Sequence, residues 1–324
     1  MTAWLSLIWM FIIIALVCWM LANILALLFQ QRIDCNELQR ARQQLWFTAS
    51  LPWMMPLLAV CALALLCLAK YFSWIDDHCT VHLQDHPHFC FEHLPQFILG
   101  ASESITAIFA ILTFAYVTIF KLSSQIHQHE KAGLLRRLIA GKRKVRLLKN
   151  NQPLAFTVGI RQPIIVLSDG IKQCLSRRQQ RIVVAHEIAH VRNKDVLKNA
   201  LFEFLLCLHI FRYSLRNKWH LNTETRIDEQ VANRFQRWEI AEVLVKLQRY
   251  TTKHFKAENY PISITGADTQ LRILRLLQTY SQTHRKNTSK KIDLVLIACV
   301  ASLPIILIAN HHAVETLLGL WVSL

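Results

Sequence analysis

Long uncharged apolar runs alternate with polar, basic stretches along this chain. No charged residue occurs from Met1 to Gln31, and Trp4 to Phe29 is almost continuously apolar, longer than the roughly 20 residues a helix needs to cross a bilayer. Three further uncharged runs cover Gln43 to Ala69, Ser104 to Phe120 and Leu294 to Asn310. The pattern predicts transmembrane helices at 1–31, 43–69, 97–120 and 292–310. The first run has no basic start and no small-residue cleavage site before Gln30-Gln31-Arg32, which marks an anchor rather than a cleaved leader. Pro52 and Pro56 are tolerable inside a membrane helix, where neighbours satisfy the carbonyls they free.

The segment 121–291 reads differently. Lys131 to Leu138 has the spacing of an amphipathic helix. Lys144 to Leu148, Ala155 to Val158 and Pro163 to Leu167 are short β-rich runs separated by polar or glycine-containing turns, which predicts a small antiparallel sheet. Beyond Ser168-Asp169-Gly170 the pattern is helical through Arg177 to His209, Thr223 to Trp238 and Glu239 to Thr252. The fold class expected is an α+β membrane protein: four transmembrane helices, with a mainly helical domain carrying a small antiparallel sheet hung between the third and fourth. The loop 70–96 and the tail 311–324 complete the plan.

Composition agrees, with 53% hydrophobic residues and a mean hydropathy of +0.27. Charge adds orientation. Of the 37 Lys and Arg, 33 lie from Lys121 to Lys291 against 12 Asp and Glu, a formal excess of 21, whereas Tyr71 to Gly100 has no Lys or Arg. By the positive-inside rule the basic domain is cytoplasmic in a bacterial inner membrane, and both termini lie outside. The net charge of +16 does not signal nucleic acid, because aromatic-basic interleaving is missing. Lys142, Arg143, Lys144, Arg146 and Lys149 instead suit contact with anionic membrane lipid.

VVAHEIAHVRNKD, Val183 to Asp195, carries the chemistry. On a helix, His186 and His190 share one face and Glu187 sits beside the first, the arrangement in which two imidazoles bind Zn2+ and a carboxylate serves as general base. Downstream carboxylates available as third ligand are Asp195, Glu203, Glu224, Asp228, Glu229, Glu239 and Glu242. If one helix runs from Arg177 to His209, Glu203 lies roughly 20 Å from His190 and is out of reach. Asp195 is too near in sequence to fold back, though it can steady an arginine or a helix end. A turn region at Arg212 to Asn222 then makes Glu224 the first carboxylate of the next helix. Asp228 shares its face and is placed to accept the second N–H of a ligating histidine.

AFTVGIRQPIIVLSDGI, RRQQRIVVAHEIAHVRNKD and ETRIDEQVA resemble successive motifs of the BlaR/MecR-type integral membrane metallopeptidases, over about Leu154 to Ala232. The resemblance implies a gluzincin fold, one Zn2+ on His186, His190 and Glu224, catalysis by Glu187 and support from Asp228. It also implies a protein substrate, a cytosolic transcriptional repressor. The HtpX-type membrane proteases share this core, and TVGI-x-x-P favours BlaR/MecR. Two departures stand out: Ile227 occupies the position where the family usually has Cys, and the chain ends on HHAVETLLGLWVSL rather than a penicillin-binding sensor, so β-lactam sensing by this polypeptide is not expected.

Several roles stay open at this level. His209, Tyr213 and His220 are equal candidates for donating to the oxyanion. Pro163 to Leu167 is a candidate edge for an extended substrate. In the outer loop, Cys79 and Cys90 either close a disulfide or join His78, His82, His86, His88 and His93 in sensing metal or pH. Two rival functions are membrane protein quality control and a non-enzymatic receptor with a structural metal.

Overall fold

The computed structural model describes residues 2–33, 37–74, 145–159, 163–254, 266–277, 288–310 and 313. The expected third span, the outer loop with Cys79 and Cys90, and the amphipathic stretch 131–138 lie outside the described residues.

Helices α1 (Thr2–Arg32) and α2 (Leu38–Tyr71) hold the first two apolar runs. Phe11–Arg32 and Leu38–Tyr71 are long and apolar enough to cross a membrane. A third such helix is not found among the described residues: α9 (Thr288–Ala309) covers the last apolar run, with the shorter apolar stretch Val300–Ala309. The three pack through small side chains, with Ala22, Ala26 and Ala59 buried against Leu51, Leu63 and Val300. Small residues let backbones approach closely where burial from lipid supplies no hydrophobic gain. Pro52 and Pro56 lie inside α2 without ending it.

Strands β1 (Val145–Leu148), β2 (Ala155–Val158) and β3 (Ile164–Ser168) form one sheet in the order β1-β3-β2. β2 is antiparallel to β3, but β1 is parallel to it. The sheet is therefore mixed, which corrects the antiparallel expectation. The chain leaves β1, travels to the far side as β2, then turns back between the two. Consequently Pro163 to Leu167 is no edge; β3 is the central strand, and β1 and β2 lie outside it. The Ser168 hydroxyl accepts from the Leu154 amide at 2.8 Å, and the Gly170 amide donates to Asn150 O at 2.9 Å. A Cβ on Gly170 would stand 2.3 Å from Asn151 O, so this close passage requires glycine.

After α3 (Asp169–Cys174), helix α4 (Arg177–Asn193) starts on a capping box in which Ser176 and Gln179 satisfy each other's amides. It stops at Lys194, which adopts the left-handed conformation (φ 55, ψ 38). The expected continuous helix to His209 is thus broken, and α5 (Asp195–Leu205) sets off afresh, followed by a 3-10 turn at Leu206–Leu208. Helix α6 (Arg212–Ala232) includes all of the stretch expected to be a turn; the turn lies just before it. Helices α7 (Arg237–His254) and α8 (Gly266–Leu277) follow.

Two cores fix these helices. Ile171, Ile182, Val183, Ile227, Ile240 and Val243 join α3, α4, α6 and α7. Leu45 and Ala49 of α2 bury against Phe202, Leu206, Leu215 and Trp219. There Trp219 stacks on Phe202 with centroids 4.5 Å apart, and Trp46 of α2 meets both edge-on.

Candidate metal centre

Helix α4 presents His186 and His190 one turn apart, and α6 presents Glu224 and Asp228 with the same spacing. The two helices pack against each other, and their carboxylates and imidazoles meet in a cleft of about 330 Å³. One ligand atom from each of His186, His190 and Glu224 lies within 4.8 Å of the others. The two Nε2 atoms are 3.2 Å apart, with Glu224 Oε2 at 3.2 Å from His186 Nε2 and Oε1 at 3.5 Å from His190 Nε2.

The remaining ring nitrogens decide the tautomers. His186 Nδ1 donates to Asp228 Oδ1 at 3.2 Å, and His190 Nδ1 donates to Asp195 Oδ2 at 3.0 Å. With both Nδ1 atoms protonated, the neutral rings turn Nε2 lone pairs toward the Glu224 carboxylate. Three acceptors converging on one point need a cation between them. A tetrahedral ion with bonds of about 2.0–2.1 Å sets two imidazole nitrogens about 3.3 Å apart, so the donor set fits a metal. Without one, a proton is drawn in: burial pushes the His186 pKa down, but Asp228 and Glu224 outweigh it and raise it to about 10. Burial also pushes Glu224 and Asp228 upward, but Arg272 and His186 together outweigh it, joined at Glu224 by His190, and hold both below the usual carboxylate range.

Asp228 sits where the sequence placed it, behind His186. Asp195 is a correction, because it does fold back. The left-handed turn at Lys194 swings its carboxylate onto His190, while its other oxygen accepts from Arg226 Nη2 at 2.9 Å. Arg272 of α8 had no sequence signal. It grips Asp228 in a fork at 2.7 and 2.9 Å and reaches Glu224 Oε2 at 3.2 Å. Glu203 is excluded on a different ground from helix reach, since it pairs with Arg216. Glu239 and Glu242 are likewise engaged elsewhere, by Arg178 and Lys246.

Glu187 is 7% exposed and lines the same cleft. Thr157 of β2 donates its hydroxyl to Glu187 Oε2 at 2.8 Å, a partner hidden inside the TVGI run. Of the three oxyanion candidates, only His220 lines the cleft, one helical turn before Glu224. His209 is buried elsewhere, with Nε2 donating to Thr48 O of α2 at 3.1 Å, and Tyr213 is 65% exposed at the far end of α6. Neither is positioned for that role, because His209 is carried against α2 and Tyr213 stands about three turns before Glu224 on α6.

A protein-family model described as BlaR1 peptidase M56 matches residues 70–276. Locally, the chain is 44% identical over 57 residues to the protein named Protease HtpX homolog in Burkholderia mallei (strain SAVP1), and equally to that of Burkholderia pseudomallei (strain K96243). The aligned part is 17% of this chain and 20% of each relative, so the chain spans about a fifth of the length of these curated relatives. Because the family model covers more than half of the sequence, including both metal-site helices, the chain belongs to the BlaR1 peptidase M56 family.

Proposed function

We propose that the protein is a multi-pass inner-membrane zinc metalloendopeptidase, with its active site facing the cytoplasm, that cleaves a cytosolic transcriptional repressor. One observation carries the enzymatic reading: Glu187 stands in the same cleft as the preorganised His186, His190 and Glu224. A zinc ion held by these three supplies Lewis acidity for the scissile carbonyl and for water. Glu187 takes the proton from the attacking water and delivers it to the leaving amine. The Thr157 hydroxyl holds Glu187 Oε2 and leaves Oε1 to carry that proton. His220, its pKa lowered by burial, is neutral and donates to the developing oxyanion. Ala155, Phe156 and Thr157 of β2 line the cleft, so an extended substrate joins the sheet at β2.

The basic excess in 121–291 supports the cytoplasmic orientation. The resemblance to BlaR/MecR supports a repressor as substrate. The local identity with proteins named Protease HtpX homolog favours a second reading, quality control of membrane proteins. Proteomes of cells carrying the wild type or Glu187→Gln separate them. Accumulation of one intact cytosolic regulator is expected. Accumulation of many membrane proteins would select the second reading, and identical proteomes with unimpaired signalling would sink the peptidase and leave a receptor.

A further inference from the structure

The corner between α5 and α6 reaches far along the two apolar helices. Trp19 Nε1 donates to Leu208 O at 3.0 Å, and Trp53 Nε1 donates to Leu205 O at 3.0 Å. Trp19 lies 13 residues before Arg32, about 20 Å along α1, and Trp53 lies 11 residues after Arg42, about 17 Å along α2. Two independent helices therefore place the corner well inside their apolar lengths. Lys218, two turns further along α6, meets Gln30 O, and Asn222 Nδ2 donates to Leu38 O at 2.9 Å, so α6 climbs back toward the polar ends of α1 and α2.

Non-helical backbone survives at such depth only when protein satisfies its polar groups. Asn23, 1% exposed in the middle of α1, does so here: its Oδ1 accepts from the Ile210 amide at 3.0 Å, and its Nδ2 lies 3.5 Å from Leu208 O. His209 Nε2 donates to Thr48 O, and the His209 amide donates to Leu206 O at 3.1 Å. The charges at this level follow the same rule, Glu203 pairing with Arg216. Yet Ile210 is 59% exposed, and Leu201, Phe211 and Tyr213 are also exposed. A corner whose Leu205 and Leu208 carbonyls and Ile210 amide are bonded by side chains of α1 and α2, while its apolar side chains stand uncovered, is suited to hydrocarbon rather than water.

We infer that the α5–α6 corner, Leu205 to Tyr213, is a re-entrant wedge immersed in the membrane leaflet on the metal-site side, with Leu201, Ile210 and Phe211 against lipid acyl chains. The inference rests on α1 and α2 being membrane spans. Arg212 is exposed at the start of α6, where its long side chain snorkels toward the headgroups. Glu224 lies 12 residues beyond Arg212, about 18 Å along α6, so peptide bonds are cut at the membrane surface.

The test uses the full chain in phosphatidylethanolamine/phosphatidylglycerol liposomes. An environment-sensitive fluorescent amino acid is placed singly at Ile210, at Phe211, at Leu21 on the exposed face of α1, and at Arg234 beyond the other end of α6. Each probe is quenched with acyl-chain doxyl lipid and with aqueous iodide. The wedge predicts blue-shifted emission, doxyl quenching and loss of iodide quenching at 210 and 211, matching position 21 and opposite to 234. Iodide quenching at 210 and 211 with doxyl quenching at 21 overturns the wedge while leaving the spans intact. Shielding from both quenchers overturns it too, assigning the surface to a second copy or a protein partner. Iodide quenching at 21 as well removes the spans themselves, and the wedge with them.

Discussion

Replacing Asp195 with asparagine tests how the metal site is held. Asp195 is 1% exposed and its carboxylate serves two donors, with Oδ2 accepting from His190 Nδ1 at 3.0 Å and Oδ1 from Arg226 Nη2 at 2.9 Å. An amide of the same shape has one oxygen. Whichever way it turns, its NH₂ faces either the imidazole N–H or the guanidinium, and one of the two contacts becomes a clash of donors. If the oxygen stays with Arg226, His190 loses the bond that fixes its tautomer and aims Nε2 at the metal. Loss of such a supporting carboxylate lowers metal affinity about 10- to 100-fold, or ~1.4 to 2.7 kcal/mol. The assay is competitive zinc titration of the purified full chain against a chromophoric chelator at neutral pH, with thermal unfolding measured in parallel. Lys246→Ala, which removes an exposed pair with Glu242, is the control and should change affinity by nothing measurable. Wild-type zinc affinity in Asp195→Asn, with unfolding unchanged, would refute the idea that Asp195 orients His190.

Glu187→Gln should bind zinc as the wild type does and lose cleavage by about 10²- to 10⁴-fold, the usual scale for a general base; equal loss of zinc would show a structural fault instead. Arg272→Met leaves Asp228 and Glu224 buried without their cation and should destabilise the metal-free protein by about 3–5 kcal/mol, read by denaturant unfolding. Trp219→Ala removes the stack on Phe202 at the joint with α2, at a cost of about 3–5 kcal/mol. For pH, the folded-state pKa of His186 is raised from 6.5 to about 10, so its stabilising contribution in the chelated protein is full below pH 6.5 and is lost as pH rises through 10. Zinc should abolish that alkaline loss, and an equal slope with and without zinc would contradict the assignment.

The legible part of this site was the part written in helical spacing. His186 with His190 and Glu224 with Asp228 are each i,i+4 pairs, and an i,i+4 pair declares a shared face wherever the helix sits. Asp195 was misjudged because its return depends on a positive φ at Lys194, and a lysine gives no sign of that as a glycine would. Arg272 stands 44 residues from Asp228, a distance across which only tertiary packing speaks. The strands were visible from their residue types, but alternation identifies a strand's faces and not its neighbours, so the parallel pairing of β1 with β3 went unread. His209 and Tyr213 failed as site residues for a related reason: the turn falls before Arg212, which puts His209 against α2 and leaves Tyr213 exposed in the first turn of α6, away from Glu224.

Asn23 also has something to say about the order of events during synthesis. Its amide sits in α1, yet the backbone groups it binds at Leu208 and Ile210 are made some 185 residues later. Until then, its Nδ2 holds Trp19 O of the same helix at 3.0 Å while its Oδ1 awaits the Ile210 amide, a standing bias toward the partner that has not yet arrived. Helix α1 is therefore a template, and the metal-site helices complete their fold on a surface laid down before them.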